Sequence, residues 1–336
     1  MRLSAIIFPL FSLSLLIISQ QLVSAFPATL KNSLQDTSVI KNGVQQPVYT
    51  TYRLSTARPV IDGKLDDDCW KTGTWAGDYH QSKPNEGAKP TYPTFLKILY
   101  DDRNLYVAMR AFDGEPEKIQ RLSGARDEQV GDQMGVVFDS YHDYRTGFEF
   151  TISAWGQQVD IVMSNPRTWD KNWNAVWKGE TGLEDSAWVA ELEIPLSQLR
   201  YSKKDEQVWG MHTWRLINRL GEESNWEIQS KTSPGVMFNF GELRGIKGLK
   251  KSQRLEIKPY MLGELKTMKK EPGNPFNEKG RLWGGNAGID AKIGISSNFT
   301  LDMTINPDFG QVESDPSVMN LSAFEVLFEE KRSFFL

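Results

Sequence analysis

The segment from Phe95 to Ala111 reads FLKILYDDRNLYVAMRA, and it determines the fold class that we predict for this chain. Apolar side chains occupy every second position from Leu105 to Ala111, which is the period of a half-buried strand. The polar run DDRN separates this stretch from a second apolar one and is typical of a hairpin loop. We therefore predict two antiparallel strands, from Phe95 to Tyr100 and from Leu105 to Ala111.

The same alternation continues through the middle of the chain. Residues 188–194 read WVAELEI, and Pro195 then ends this predicted strand. Further strands are predicted at residues 136–138, 148–152 and 208–217, and helical periodicity of useful length is nearly absent. Many short strands separated by turn residues predict an all-β chain with a β-sandwich over residues 48–250.

The start of the chain has the features of a secretion signal. Arg2 supplies a positive charge, an apolar stretch runs from Ala5 to Ile18, and small residues at 23–25 form a cleavage site. We predict a signal peptide over residues 1–25 and a polar linker over residues 26–47. The alternative to cleavage is a retained membrane anchor.

Charge and cysteine content narrow the class of protein. The chain has 39 basic and 43 acidic residues, a formal net charge of −4, so it lacks the basic surface that nucleic acids require. Cys69 is the only cysteine, which excludes an internal disulfide. We therefore expect no nucleic-acid partner, and an exported protein of the bacterial cell envelope whose stability comes from a packed core.

The region after residue 250 has a different pattern. Between Ala287 and Ile305, apolar side chains fill every second position of two successive segments, and small or polar residues fill the others. This alternation suits strands of a transmembrane β-barrel with a polar lumen. It suits an amphipathic hairpin at the edge of the sandwich equally well, so periodicity alone leaves both interpretations open.

Five spaced segments of the sandwich region carry a resemblance to a known family. The first reads VIDGKLDDDCW at residues 60–70, where Asp62 and Gly63 make a turn before Trp70. The others follow in order at residues 99–107, 132–139, 188–196 and 240–243. Together these segments resemble family 9 carbohydrate-binding modules. The resemblance implies a β-sandwich that binds sugars and is often appended to glycoside hydrolases.

The end of the chain resembles a second family. Residues 306–316 read NPDFGQVESDP, and the likeness continues to Arg332. The pattern is similar to the start of DUF5916-type domains, which follow such modules and are predicted to be outer-membrane β-barrels. This resemblance implies that residues 251–336 begin a barrel, that the chain is an N-terminal fragment, and that the outer membrane is a partner of the protein.

The sugar clamp that the first resemblance implies is missing here. The resembling modules hold a terminal sugar between two tryptophans, whose positions fall near residues 129–130 and 234–235, and none of these residues is aromatic. A sugar-contacting Glu corresponds to Gly135, and an Arg falls near Thr151. We therefore expect the fold of the family without its particular clamp.

A segment with tryptophans at spacing four provides another candidate sugar site. Trp169, Trp173 and Trp177 lie in a polar stretch in which Asp170 and Asn172 can bond to hydroxyl groups. An indole has an apolar face and a polar edge, so we predict that these five residues contact a glycan. In the structural alternative, Trp177 packs inward, Trp173 covers a sheet edge and only Trp169 is exposed. Most other tryptophans we assign to packing (Trp70, Trp75, Trp155, Trp188, Trp209 and Trp214), and two are left unassigned (Trp226 and Trp283).

A metal site is the only cofactor site that the sequence suggests. Asp139 and Asp143 lie in one oxygen-rich hairpin loop and can supply two carboxylates to a calcium ion. A solvated turn is the alternative, because calcium needs several oxygens at once. No other cofactor is expected.

No catalytic constellation is found in this chain. The three histidines are scattered without metal-ligand spacing, and Glu191 and Glu193 have the period of the exposed side of a sandwich strand. We therefore expect a non-catalytic carbohydrate-binding module that presents or captures glycans or polysaccharides at the outer membrane. The alternatives are part of a membrane-associated glycoside hydrolase-type protein in carbohydrate catabolism, and a plug or assembly domain for the barrel that binds no sugar.

Overall fold

The opening segment forms the predicted hairpin in the computed structural model of the protein. Strand β5 spans Thr94–Tyr100 and strand β6 spans Asn104–Phe112. The structure describes residues 37–41, 43–164, 168–171, 173–228, 233–249, 255–270, 273, 280–295 and 299–306. The predicted signal peptide and most of the segment that resembles DUF5916 domains lie outside these residues.

A large, almost entirely antiparallel sheet forms one layer of the sandwich. Its main path runs in the order β1, β2, β15, β13, β7, β8, β9, β10, and β14 pairs with both β13 and β4 beside it. The strands are β1 (Thr37–Lys41), β2 (Val44–Thr50), β4 (His80–Lys83), β7 (Gln133–Asp139), β8 (Thr146–Ser153), β9 (Gln158–Ser164), β10 (Thr168–Asp170), β13 (Glu206–Ile217), β14 (Glu222–Asn225) and β15 (Gly241–Lys247).

A five-stranded sheet forms the other layer, in the order β11, β12, β6, β5, β3. Its remaining strands are β3 (Tyr52–Arg53), β11 (Lys178–Glu184) and β12 (Ala187–Pro195). Short 3-10 helices occupy described connections at Asp68–Lys71, Pro116–Lys118, Leu196–Gln198, Asn218–Leu220 and Val236–Asn239. Among the described residues, no helix is long and apolar enough to cross a membrane.

The core lies between the two sheets and confirms the all-β sandwich. Ile98 and Leu192 of the small sheet, and Val136 and Phe150 of the large sheet, are fully buried in one apolar cluster. The alternation that predicted these strands places their apolar side chains in this layer.

The assignment of many tryptophans to packing is correct. Trp188 and Trp209 are among the largest fully buried side chains, and Trp70 and Trp75 are also buried. Trp226, which the sequence left unassigned, is buried as well.

The outer face of the small sheet is covered by chain, which corrects one expectation. Glu191, expected on an exposed strand face, is completely buried. Its Oε1 accepts a hydrogen bond from Trp70 Nε1 at 2.7 Å, and its Oε2 accepts one from Gly63 N at 3.0 Å. The backbone of Gly63 has a φ of +79° and touches Thr181, a conformation and a contact that only glycine tolerates. The segment at residues 60–70 therefore covers the outer face of the small sheet.

The predicted linker over residues 26–47 is too long. Residues 37–41 and 44–48 pair as an antiparallel hairpin, and β2 adds to the large sheet by parallel pairing with β15. Gln46, which the composition assigned to a polar linker, is buried and donates a hydrogen bond from Nε2 to the carbonyl of Ile228 at 3.0 Å. The strand cannot be recognised from the sequence pattern, because the buried polar side chain of Gln46 breaks the apolar alternation.

Three strands after residue 250 form a separate, strongly amphipathic sheet. They are β16 (Leu255–Thr267), β17 (Arg281–Gly294) and β18 (Thr300–Ile305), in that order. The register places Ala291 opposite Ile257 and Met303, so one face is apolar across all three strands. On that face Met261 is 89% exposed and Trp283 is 77% exposed. The predicted strands are confirmed, and the barrel itself stays a prediction.

Candidate functional site on the outer face of the large sheet

Only one described member of the predicted tryptophan site is well exposed. Trp177 is buried, with its ring edge-on to Phe150 and its Nε1 donating to Asp160 Oδ1 at 3.1 Å. Trp173 is half-buried against Phe148 and Phe150, with ring centroids 5.3 and 5.7 Å apart. Trp169 is 48% exposed on β10. The positions match the structural alternative, and Trp177 cannot touch a ligand without leaving the core.

The polar members of the predicted set add little to a common surface. Asp170 pairs with Val162 at the edge of the large sheet and is half-buried, and Asn172 lies outside the described residues. The amide of Ala175 donates to Asp160 Oδ2 at 2.7 Å, which draws the end of this segment into the sandwich. The segment that carries the three tryptophans is polar in sequence, but its end turns toward the core.

The loop proposed for calcium uses its carboxylates internally. Asp139 is buried, and its two oxygens accept hydrogen bonds from the amides of Asp143 at 3.1 Å and Tyr144 at 2.8 Å. Asp143 Oδ1 accepts from the amides of Arg145 and Thr146. Burial raises the pKa of Asp139 to about 6, against the opposing effect of these amides. Within the part of the chain that the structure describes, no three His, Cys, Asp or Glu side chains cluster to hold a metal.

A different group of aromatic and polar side chains lies on the face of the large sheet that points away from the core, here called the outer face. Trp214 of β13 is opposite Gly135 of β7, which is opposite Thr151 of β8, so the three residues form one row. A side chain at Gly135 would collide with the indole nitrogen of Trp214 and the hydroxyl of Thr151. Glycine therefore lets the indole lie directly on the sheet, and Trp214 remains partly exposed.

Glu149 lies beside the nitrogen edge of this indole. It is buried, and its Oε1 accepts hydrogen bonds from Trp214 Nε1 at 3.2 Å and Thr151 Oγ1 at 2.9 Å. Its Oε2 is shielded from solvent and has no hydrogen-bond partner among the residues that the structure describes. Burial raises the pKa of Glu149, although the hydrogen bond from Thr151 opposes this shift.

A histidine–carboxylate pair occupies the next row of the outer face. His212 Nδ1 hydrogen bonds to Glu227 Oε1, and its ring stacks on Phe240 with centroids 5.3 Å apart. Burial disfavours the charged imidazole, but Glu227 and Glu149 favour it more strongly, and the pKa of His212 is raised.

Two further acceptor positions extend the row of Trp214. Asn225 of β14 is opposite Trp214, and His80 of β4 is opposite Asn225. Asn225 Oδ1 and His80 Nδ1 are both buried and lack a partner in the described parts of the chain. Buried polar atoms in folded proteins are normally hydrogen-bonded, so the row of Trp214 contains atoms that a polar ligand or water could satisfy.

The outer face also contains the positions that the family resemblance singled out. Gly135 and Thr151, which correspond to sugar-contacting residues, form its centre. Gln129, near one missing clamp position, accepts a hydrogen bond from Lys171 Nζ at 3.5 Å across the rim. Sequence reasoning assigned Trp214 to packing together with most of the other tryptophans. The alternation of side chains along β13 distinguishes its two faces. Met211, Thr213 and Arg215 face the core, so Trp214, which lies between two of them in sequence, faces the other way.

Two other tryptophans are also exposed: one was assigned to packing, and the other was not assigned to a role. Trp155, which was assigned to packing, is 53% exposed at the turn between β8 and β9. Trp283, which was unassigned, lies on the apolar face of the sheet after residue 250.

Comparisons with known proteins match two parts of the chain to different relatives. Residues 251–336 match the family model described as a domain of unknown function, DUF5916. The sandwich is similar to a family 9 carbohydrate-binding module from Caldicellulosiruptor kristjanssonii, solved with glucose and with cellotriose. These two structures have 17% and 16% identity, cover 58% and 59% of this chain and 94% and 93% of theirs, and give a TM-score of 0.42 each.

A third structure is a candidate carbohydrate-binding protein from Bacteroides uniformis ATCC 8492, with 11% identity and a TM-score of 0.48. It covers 59% of this chain and 99% of its own. No curated protein matches the sequence. The chain thus combines a sandwich similar to family 9 modules with a C-terminal segment that matches the DUF5916 family.

Proposed function

We propose that the sandwich is a non-catalytic carbohydrate-binding module and that the sugar lies on the outer face around Trp214. The observation that carries this proposal is the indole of Trp214, which lies against Gly135 and donates its N–H to Glu149, whose Oε2 lacks a partner among the described side chains. An indole provides the apolar platform on which a pyranose ring stacks. Trp169, at the edge of the same sheet, adds a second exposed aromatic ring.

The polar atoms of the outer face favour a ligand with several hydroxyl groups. Glu149 Oε2 and Asn225 Oδ1 are acceptors, so each needs a donor, and a buried acceptor without one costs about 1–3 kcal/mol. Sugar hydroxyls donate and accept within one small ring. A polyhydroxylated ring stacked on Trp214 can supply these donors once the side chains that shield the two acceptors move aside.

Loss of the indole is expected to weaken glycan binding. Trp214→Ala should raise the Kd for the best-binding oligosaccharide of a neutral and acidic panel by about tenfold or more, which corresponds to about 1.4 kcal/mol of lost stacking. Glu149→Gln, which retains the shape of the side chain, should also weaken binding. Isothermal titration calorimetry on the whole protein measures both effects.

A matched control for this experiment is Trp283→Ala, which removes a more exposed indole from a different sheet. It should leave the affinity unchanged. Unaltered binding by Trp214→Ala, with its folding verified by circular dichroism, would remove the outer face as the site. The absence of heat with every glycan would favour a plug or assembly role for the sandwich.

We also propose that the protein resides in the bacterial envelope, with its C-terminal strands at the outer membrane. The support is the continuous apolar face of β16, β17 and β18, because contiguous exposed apolar faces mark interaction or membrane sites. In this role the module presents or captures glycans beside the membrane. Association with a hydrolase in carbohydrate catabolism remains compatible with it.

Membrane fractionation tests this location. Met261→Asp places a charge on the apolar face and should lower the membrane-associated fraction at least twofold, because a charge facing lipid is costly. Lys266→Asp, a charge change on the opposite face of the same strand, is the control and should have no effect. Recovery of the unaltered protein entirely in the soluble fraction would contradict the proposal.

A further inference from the structure

The turn between β8 and β9 presents an exposed tryptophan on a backbone that is held by several hydrogen bonds. Trp155 is 53% exposed, and its amide donates to Ser153 Oγ at 3.3 Å. Gly156 N donates to the carbonyl of Ser153 at 2.8 Å, and Gln157 N donates to Ser153 Oγ at 3.1 Å. Three amides bonded to one serine fix the position of the turn. The indole is therefore held outward, although an aromatic side chain of this size is normally buried.

Arg121 stacks on this indole and retains unused hydrogen-bond donors. Its guanidinium carbon lies 5.2 Å from the centre of the Trp155 ring, and its Nε donates to the carbonyl of Ala154 at 3.0 Å. Its two terminal amino groups form no hydrogen bond or ion pair within the described residues. A guanidinium oriented in this way offers a fixed pair of donors to an anion.

Two carboxylates of the loop that follows Arg121 are engaged with backbone amides. Glu128 Oε2 accepts from the amide of Ala125 at 2.9 Å, and Asp127 Oδ1 accepts from the amide of Asp160 at 3.2 Å. Neither carboxylate forms an ion pair with Arg121 in the described structure. The positive charge of Arg121 is therefore available to a ligand.

This turn continues the outer face. Ser153 is opposite Gln133 and lies on the same side of β8 as Thr151, the neighbour of Trp214 in its row. β8 ends at Ser153, and Trp155 lies in the turn that follows this strand. Gln157, beside Ser153, is buried and its Oε1 has no partner in the part of the chain described here. A ligand longer than one sugar that extends from Trp214 toward the end of β8 would therefore approach Trp155.

We propose that Trp155 and Arg121 form a second subsite that takes a negatively charged sugar residue, such as a uronate, of an oligosaccharide bound on the outer face. This inference rests on the proposed function, because it extends the sugar site at Trp214. The ring of the uronate stacks on Trp155, and its carboxylate accepts hydrogen bonds from Arg121. The preferred ligand of the module is then an acidic glycan.

Calorimetry with a matched pair of probes tests this subsite. Trigalacturonate and its fully methyl-esterified form differ in charge and not in their sugar rings. The unaltered protein should bind trigalacturonate at least fivefold more tightly than the ester, and the difference should shrink as salt is added. Arg121→Gln should remove this preference and leave the affinity for the ester within twofold. Arg103→Gln, an exposed arginine in the β5–β6 loop, is the control.

The outcomes separate this proposal from the one on which it rests. Equal binding of the two probes by the unaltered protein, or a charge preference that survives in Arg121→Gln, would overturn the acidic subsite and leave the site at Trp214 intact. Trp155→Ala should weaken binding of both trimers and leave that of a single sugar unchanged. Failure of every probe to bind would overturn the proposed function itself.

Discussion

Replacing Glu191 with alanine is expected to lower the free energy of unfolding by about 3–5 kcal/mol, the range for breaking a buried charged interaction. Glu191 is completely buried, and its carboxylate accepts hydrogen bonds from Trp70 Nε1 and from the amides of Asp62 and Gly63. Alanine would leave the buried donors of Trp70 and Gly63 unpaired, together with the more exposed amide of Asp62. It would also release the segment at residues 60–70 from the outer face of the small sheet.

Equilibrium urea unfolding followed by tryptophan fluorescence measures this loss. Glu180 is the matched control, because it pairs with Glu191 on the neighbouring strand and is exposed, so Glu180→Ala should change stability by about 0.5 kcal/mol or less. Burial raises the pKa of Glu191, against three opposing hydrogen bonds. Glu191→Gln should therefore cost less than alanine, since one oxygen remains to accept. A loss below 1 kcal/mol for alanine would show that the cover does not depend on this carboxylate.

Asp113→Ala is the second substitution for which we expect a large loss, again about 3–5 kcal/mol. Asp113 is buried and receives both terminal nitrogens of Arg219, each at 2.7 Å. It also lies 4.0 Å from Arg215, whose side chain is fully buried. Burial lowers the pKa of Arg215 to about 10, although the negative charge of Asp113 opposes this shift. Removing Asp113 would leave a buried guanidinium without its nearest counter-charge.

The control for Asp113→Ala is a solvent-exposed ion pair on the protein surface. Glu206 and Lys247 lie 3.4 Å apart, and both side chains are more than half exposed. Glu206→Ala should cost about 1 kcal/mol or less, because solvent screens the pair. The same urea experiment serves for both variants. Equal losses for Asp113→Ala and Glu206→Ala would mean that the buried network contributes no more than a surface pair.

Strand alternation was sufficient to predict most of the sandwich. The hairpin from Phe95 to Ala111 and the strand from Trp188 to Ile194 appear as predicted, because in both the apolar side chains alternate with side chains of the opposite face. The strand at residues 44–50 was missed, since Gln46 is buried through a hydrogen bond and not through apolar packing. Periodicity detects burial only when the buried side chains are apolar.

The candidate site was harder to predict than the fold. Trp177 and Trp214 are the same residue type in similarly mixed surroundings, and one is buried while the other lies on the outer face. What separates them is contact across the chain: Asp160 draws Trp177 inward, and Gly135 makes room for Trp214. Neither partner is near its tryptophan in sequence. Composition could therefore indicate that aromatic rings were present, but not which of them face a ligand.

The parallel pairing of β2 with β15 has a consequence for how the molecule forms. Val48 lies beside Glu242, so almost the entire sandwich separates two residues that are neighbours in the native sheet. Thr51 then crosses to the small sheet, where its hydroxyl donates to the carbonyl of Ile98 at 2.7 Å. Contacts so distant in sequence carry a large loop-closure entropy and slow the folding rate. During synthesis, the first strands must therefore wait for the last one before the large sheet is complete.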